Sequence, residues 1–298
     1  MRRRSYGTAR SRTAAGRVVT DAGGGGATVL IAGCGDLGQR VGRLLAGQGR
    51  RVYGLRRRSG ELPAGIAPLT IDLAAGVPVL PACDQVVFCA APDSGEPTAY
   101  RATYETAWGN LLAGLLAMPA PVRRVLLVTS TRCYGQDDGG WVDENSPVTA
   151  GDAQTASLLR AESMLRDSGL PGVVLRPAGL YGAGEGPLLR SLREGRAVCP
   201  AGAPRWSNRM HRDDAARAIV HLLGLANPAP LYLGVDCEPT DQAALLRELA
   251  SWIGVPAPVP RELPPPAVNR RCGNARLLAS GFRFVYPSWR EGYRAVLG

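Results

Sequence analysis

Residues 27–38 read ATVLIAGCGDLG, a short apolar run, Val29-Leu30-Ile31, that ends in Gly33-x-Gly35-x-x-Gly38. A buried strand, a glycine-rich turn and then a helix form the arrangement that holds a dinucleotide pyrophosphate. In that reading Gly33 allows the tight turn. Gly35 carries no Cβ, so the backbone can approach the phosphates. Gly38 lets the helix pack close to the strand. The amides at the helix N-terminus and its positive dipole end face the anion. A glycine turn of this kind also closes ordinary βα units, so context matters. Here Gln39 to Gln48 continue as an amphipathic helical pattern, which supports dinucleotide binding.

Working outward, apolar runs alternate with helical patterns. Strands are predicted at 51–55, 68–73, 84–90, 125–130 and 173–175, and helices at 98–118 and 152–167, the latter with Asp152 as N-cap. This alternation predicts an α/β fold with a Rossmann-type, doubly wound parallel sheet. Beyond about residue 180, Pro and Gly become more frequent. The organisation expected is a Rossmann domain over 27–180, to which 211–236 return. A smaller α+β substrate-binding region is expected from 181–210 and 237–298.

The chain has 298 residues, 35 basic against 25 acidic side chains, two His and a net charge of +10. Residues 1–26 hold six Arg and one Asp, half of that net charge. This Arg- and Gly-rich tail has too few large apolar residues to bury itself and is expected to be disordered. A nucleic-acid arm or a transit peptide would have such a composition, and so would a start that never orders; nucleic acid is not the expected partner. No apolar run is long enough to span a bilayer. Seven Cys stand singly, without metal-ligand spacing, so no metal site is expected and the thiols suit a reducing cytoplasm. Lysine is absent, so no step can use a lysine ammonium of this chain.

The end of the second predicted strand selects between the two nicotinamide cofactors. An acidic residue there holds the ribose hydroxyls, whereas Arg accommodates a 2′-phosphate. The sequence gives Leu55-Arg56-Arg57-Arg58-Ser59. Arg56 and Arg57 can pair with a phosphate dianion, so NADP is preferred over NAD. Asp72, after the third strand, either touches the adenine or caps a turn.

These residues, with four later segments, resemble the extended short-chain dehydrogenase/reductase superfamily in its NAD(P)-dependent epimerase/dehydratase branch. Thr129-Ser130-Thr131-Arg132-Cys133-Tyr134-Gly135 resembles the motif carrying the catalytic Ser. Trp141-Val142-Asp143-Glu144 with Ser146-Pro147 resembles the acidic loop that follows. Arg176-Pro177-Ala178-Gly179-Leu180-Tyr181-Gly182 is similar to the sixth-strand motif beside the nicotinamide. Asn208 to Asp214 is similar to the branch's His-Val-Asp-Asp segment. The GxGxxG spacing, Asn274-Ala275-Arg276-Leu277 and the stretch Gly281 to Pro287 are closest to atypical bacterial members of the sugar-nucleotide epimerase type.

The resemblance implies cofactor contacts from Gly33, Gly35, Asp36, Leu37, Gly38, Arg56, Arg57, Asp72, Leu73, Ala90, Ala91, Pro92, Arg176, Pro177 and Ala178. It implies substrate contacts from Tyr134 and Arg209, a homodimer through the helices near 98–118 and 152–167, and a small polar or nucleotide-linked substrate. One departure is decisive. Active members carry Tyr-x-x-x-Lys on the helix after the fifth strand; the matching positions here are Gln154 and Leu158. Both are expected to face the cofactor, and neither titrates. Ser130 remains to orient a substrate, and His211 is the one imidazole on a family motif, with a structural hydrogen bond as its alternative role. Asp213 and Asp214 are expected to cap the helix at 212–224. The expected function is hydride transfer by an epimerase/dehydratase-like oxidoreductase; the alternative is a non-catalytic dinucleotide-binding protein, redox-sensing or structural.

Overall fold

The computed structural model describes residues 26–182, 184 and 186–298. The tail at 1–25 lies outside them. Seven strands form one sheet: β1 Thr28–Ala32, β2 Arg51–Arg56, β3 Ile66–Thr70, β4 Gln85–Phe88, β5 Arg124–Val128, β6 Gly172–Pro177 and β7 Leu231–Gly234. All pairs are parallel and the order is β7-β6-β5-β4-β1-β2-β3. The chain starts in the middle and winds both ways, so the ligand-binding crevice of such sheets falls between β1 and β4.

The strands are continuous apolar runs because both faces are covered. Val29 and Ile31 point to one layer, with Val41 and Leu45 of α1 (Asp36–Gly47) and Ile219 and Leu222 of α6 (Arg212–Gly224). Leu30 and Ala32 point to the other, with Trp108 and Leu111 of α3 (Trp108–Leu116) and Leu158 and Leu165 of α4 (Ala153–Asp167). Helix α2 (Pro97–Arg101) runs into α3 through a π-helical turn, Ala102–Ala107. A separate apolar cluster joins α5 (Pro187–Arg193), α7 (Gln242–Trp252) and α9 (Trp289–Leu297), with Leu192, Leu246 and Trp289 at its centre. A short helix, α8 (Ala275–Ala279), precedes α9.

Asp152 caps α4 as expected, its carboxylate accepting the Thr155 N–H at 2.7 Å. Two expectations need correction. The third strand ends at Thr70, because Asp72 turns the chain by accepting the Ala74 N–H at 2.9 Å. The cap of α6 is His211, whose Nδ1 accepts the Asp213 N–H at 3.2 Å. Asp214 instead lies fully buried and accepts the N–H groups of Val285 and Tyr286, both at 2.8 Å, which fastens the C-terminal segment.

A buried ionic network fixes β5, β6 and α4 together. Arg176 donates to Glu162 through Nε at 2.9 Å and Nη2 at 2.5 Å; the two side chains are 5% and 11% exposed. Thr129 Oγ1 donates to the same carboxylate at 2.7 Å, and Arg176 Nη1 donates to the Tyr134 hydroxyl at 2.8 Å. Removing one partner strands a buried charge. Arg176→Met is therefore expected to cost about 3–5 kcal/mol in urea unfolding, and Arg176→Met with Glu162→Leu to cost less than Arg176→Met alone.

Asp236, 2% exposed, follows β7. Its carboxyl is pushed up to about 8 by burial, offset in part by the Arg209 guanidinium. A folded value above the unfolded one, about 4, contributes stability below pH 4 that is lost as pH rises through 8. Unfolding free energy is expected to decline across that window, and Asp236→Asn to flatten the decline.

Candidate dinucleotide-binding site

A cleft of about 660 Å³ runs along the carboxyl ends of β2, β1, β4, β5 and β6. At its centre is the glycine turn. Gly33 has φ +87°, and a Cβ there would lie 2.3 Å from the Ala90 backbone. A Cβ on Gly38 would lie 2.8 Å from the Gly33 carbonyl and 3.1 Å from Ile31. These two glycines serve the protein's own packing. Gly35 differs: a Cβ there would meet nothing within 4 Å, so the fold itself does not demand glycine. Gly35 is also the N-cap of α1 and makes no side-chain cap hydrogen bond, so the first-turn amides carry no side-chain acceptor. Asp36, in that turn, is neutralised by Arg40 and by Arg212, which reaches it at 3.0 Å from α6.

At the β2 end the lining includes Arg56, Arg57, Arg58, Asp72 and Leu73. The three guanidinium groups are not equivalent. Arg56 Nη2 donates to the Glu61 carbonyl at 3.2 Å. Arg57 Nη2 donates to Asp93 at 2.5 Å, a carboxylate supplied by the loop after β4. That contact holds Asp93 below, and Arg57 above, their ordinary values. Asp72 both caps its turn and lines the cleft.

At the β5–β6 end the lining is Val128, Thr129, Pro177 and Leu180, with Thr103, Tyr104 and Ala107 from the π-helical turn. Such turns recur at functional sites. Ser157 donates to Glu105 at 2.7 Å and ties this turn to α4. Tyr104 is the one tyrosine among the described lining residues, and burial pushes its phenol upward.

Of the residues expected at the cofactor, Gly33, Gly35, Asp36, Leu37, Arg56, Arg57, Asp72, Leu73, Ala90, Ala91 and Pro177 line the cleft; Gly38 packs beneath it. Pro92 is outside the lining. Arg176 is held by Glu162 and Tyr134, and Ala178 is held through its N–H to the Gly234 carbonyl at 2.9 Å; neither lines the cleft.

The expectation that Gln154 and Leu158 face the cleft does not hold. Leu158 is 1% exposed within the core that includes Trp108 and Tyr104. Gln154 Nε2 donates to the Gly95 carbonyl at 2.9 Å, on the loop after β4. The remaining candidates also lie outside the lining. Ser130 is half-buried, its Oγ accepting the Arg132 N–H at 3.1 Å. Tyr134 is fully buried against Arg176 rather than presented to a substrate. Arg209 donates to the Tyr293 hydroxyl at 3.1 Å. His211 is 3% exposed, packs against Tyr181 and Tyr286, and is held below its ordinary value by burial. Thr129, Tyr104, Asp93 and Arg212 are among the lining residues that sequence reasoning missed. Thr129 had its neighbour Ser130 as a signal, whereas Tyr104 reads as one more apolar position of a helix.

No family model matches the chain. A curated relative, the 3-diazoavenalumate denitrifying reductase of a Streptomyces species, is 33% identical over 178 residues; the match spans 51% of this chain and 57% of the relative. The human epimerase family protein SDR39U1, solved with NADPH, superposes with a TM-score of 0.74 over 90% of this chain and 98% of its own; at 22% identity it speaks for the fold alone. A structure from Methylobacillus flagellatus, assigned as an NAD-dependent epimerase/dehydratase, is 34% identical with a TM-score of 0.76, covering 91% of this chain and 97% of that one. Identity at that level over nearly the whole of both chains means that this chain belongs to the NAD-dependent epimerase/dehydratase family of the extended short-chain dehydrogenase/reductase fold.

Proposed function

We propose that the cleft binds NADP(H), or NAD(H) more weakly, and that the protein is an oxidoreductase acting on a small polar or nucleotide-linked substrate. The observation that carries this reading is Gly35, a glycine that the fold does not need, at an uncapped helix N-terminus. A pyrophosphate laid on those amides fits the space that a Cβ would take. Arg57, at the β2 end, would hold a ribose 2′-phosphate. Thr129, Pro177 and Tyr104 would border the nicotinamide. The bound cofactor supplies or accepts the hydride. The reductase activity named for the Streptomyces relative supports this assignment.

The chain's own residues bind and orient. Tyr104 stays protonated at working pH, because burial raises its phenol, and donates a hydrogen bond toward a substrate oxygen. Thr129 donates its proton to Glu162, so its oxygen is left to accept. Ser130 orients the substrate from the rim. A small substrate-binding region from 181–210 and 237–298 closes over a Rossmann domain of 27–180 and 211–236. The protein forms a homodimer in the cytoplasm through α2–α3 and α4, where a groove lined by Leu112, Leu116 and Met164 lies open. None of the helices described is long and apolar enough to cross a membrane.

The test is titration with NADPH and NADH, read by nicotinamide fluorescence, followed by single-turnover oxidation against a panel of carbonyl compounds. NADPH is expected to bind more tightly. Failure of both nucleotides to bind would sink the reading; tight binding with no oxidation would favour the non-catalytic alternative. Gly35→Ala is expected to weaken NADPH binding about tenfold or more, with stability unchanged to within roughly 0.5 kcal/mol. Gly33→Ala, by contrast, is expected to lose about 1–3 kcal/mol or more of stability, since its Cβ has no room. Tyr104→Phe is expected to slow turnover roughly a hundredfold while leaving NADPH affinity intact.

A further inference from the structure

Arg57 reaches the cleft from the end of β2 and Asp93 from the loop after β4, so the pair bridges two lining elements 36 residues apart in sequence. The side chains are 53% and 67% exposed, which leaves both accessible to a ligand. Arg56 is turned onto the Glu61 carbonyl, so Asp93 faces the one guanidinium of the two proposed for the 2′-phosphate that already carries a carboxylate partner. Asp72 lies close enough to Arg57 to add to its negative surroundings.

We infer that Asp93 is a specificity-determining residue that competes with the ribose 2′-phosphate for Arg57. The inference rests on the cofactor reading above. A phosphate dianion placed on Arg57 meets the Asp93 carboxylate as a like charge, and one of the two anions must leave the guanidinium. A ribose 2′-hydroxyl makes no such demand. It can donate to Asp93 while Arg57 keeps its partner. The carboxylate thus penalises NADPH and spares NADH. The preference for NADPH is therefore narrower than three consecutive arginines imply. The far side of the same loop is anchored separately, through the Gly95 carbonyl to Gln154, so a displaced Asp93 moves within a tethered segment.

The experiment measures dissociation constants for NADPH and NADH with the wild type, Asp93→Asn, Arg57→Gln and the double variant. Asparagine keeps the size and one acceptor but removes the charge. Asp93→Asn is expected to raise the preference for NADPH over NADH roughly fivefold, the upper range for one exposed ion pair, with NADPH bound more tightly than by the wild type and no gain in NADH affinity. In the Arg57→Gln background the same substitution is expected to leave the preference nearly unchanged, because the competition needs the guanidinium. An equal gain in both backgrounds would overturn the competition and leave simple repulsion. No gain in either, with the wild type binding NADPH, would overturn this inference alone. No binding of either nucleotide by the wild type would overturn the cofactor reading and this inference together. A thermal melt of each variant separates a binding effect from loss of fold.

Discussion

The contact between Gly33 and Ala90 sets the geometry on which the site depends. β1 is an interior strand of the sheet, and its two neighbours lead in opposite directions. The turn after β1 is pinned to one neighbour by the amides of Gly33 and Cys34, which donate to the Leu55 carbonyl at 3.1 and 3.0 Å. It is pressed against the continuation of the other, where no Cβ fits. Gly38 then draws α1 down onto the same turn. With those three approaches fixed, the first turn of α1 can only point along the crevice, with β2 and its arginines on one side and the loop carrying Asp93 on the other. A side chain at Gly33 would separate β1 from β4 and move every one of these groups.

The far end of the cleft is held by a different device. Arg176, Tyr134 and His211 sit on family motifs, and the resemblance places them near bound ligands. In this fold they are framework. Arg176 spends its donors on Glu162 and Tyr134, and His211 caps α6. A buried ion pair gives little net stability over an apolar replacement. What it gives here is position: the Glu162 carboxylate receives Arg176 of β6 and Thr129 at the end of β5, so the two strand ends that border the cleft are set from one point on α4.

Much of this was legible in the sequence. Continuous apolar runs alternating with helical patterns announced the parallel sheet, and the three glycines announced the turn with their separate tasks. Asp152 announced the start of α4. The end of the third strand was hidden because Leu69, Ile71 and Leu73 continue the apolar pattern past the point where Asp72 turns the chain. The Arg57–Asp93 pair was hidden because it joins two elements that only the sheet order brings together. Tyr104 was hidden for the opposite reason: its helical spacing is that of a core residue, and it is buried with Phe88 and Tyr100 against its ring. Only its place in the lining of the cleft distinguishes it. The inward aim of Gln154 and Leu158 was carried over from the family resemblance rather than read from the residues themselves. With no charge or hydroxyl to draw it outward, Leu158 stays in the core.

The absence of lysine bears on the chemistry the site can support. A tyrosine beside a lysine ammonium has a lowered pKa and can pass a proton. Tyr104 has no such neighbour, and burial moves its phenol the other way. It can stabilise negative charge on a substrate oxygen by donating a hydrogen bond, but giving up the proton leaves a buried phenolate with no nearby lysine in a chain that has none. On the proposed reaction, the residues at the β5–β6 end therefore favour acceptors whose electrophilic centre takes hydride with little proton assistance. Substrates that depend on full protonation of a developing alkoxide must draw that proton from solvent. At the β5–β6 end of the cleft, Glu162 fixes the Thr129 hydroxyl, and the Ser157–Glu105 bond ties the π-helical turn that carries Tyr104 to α4.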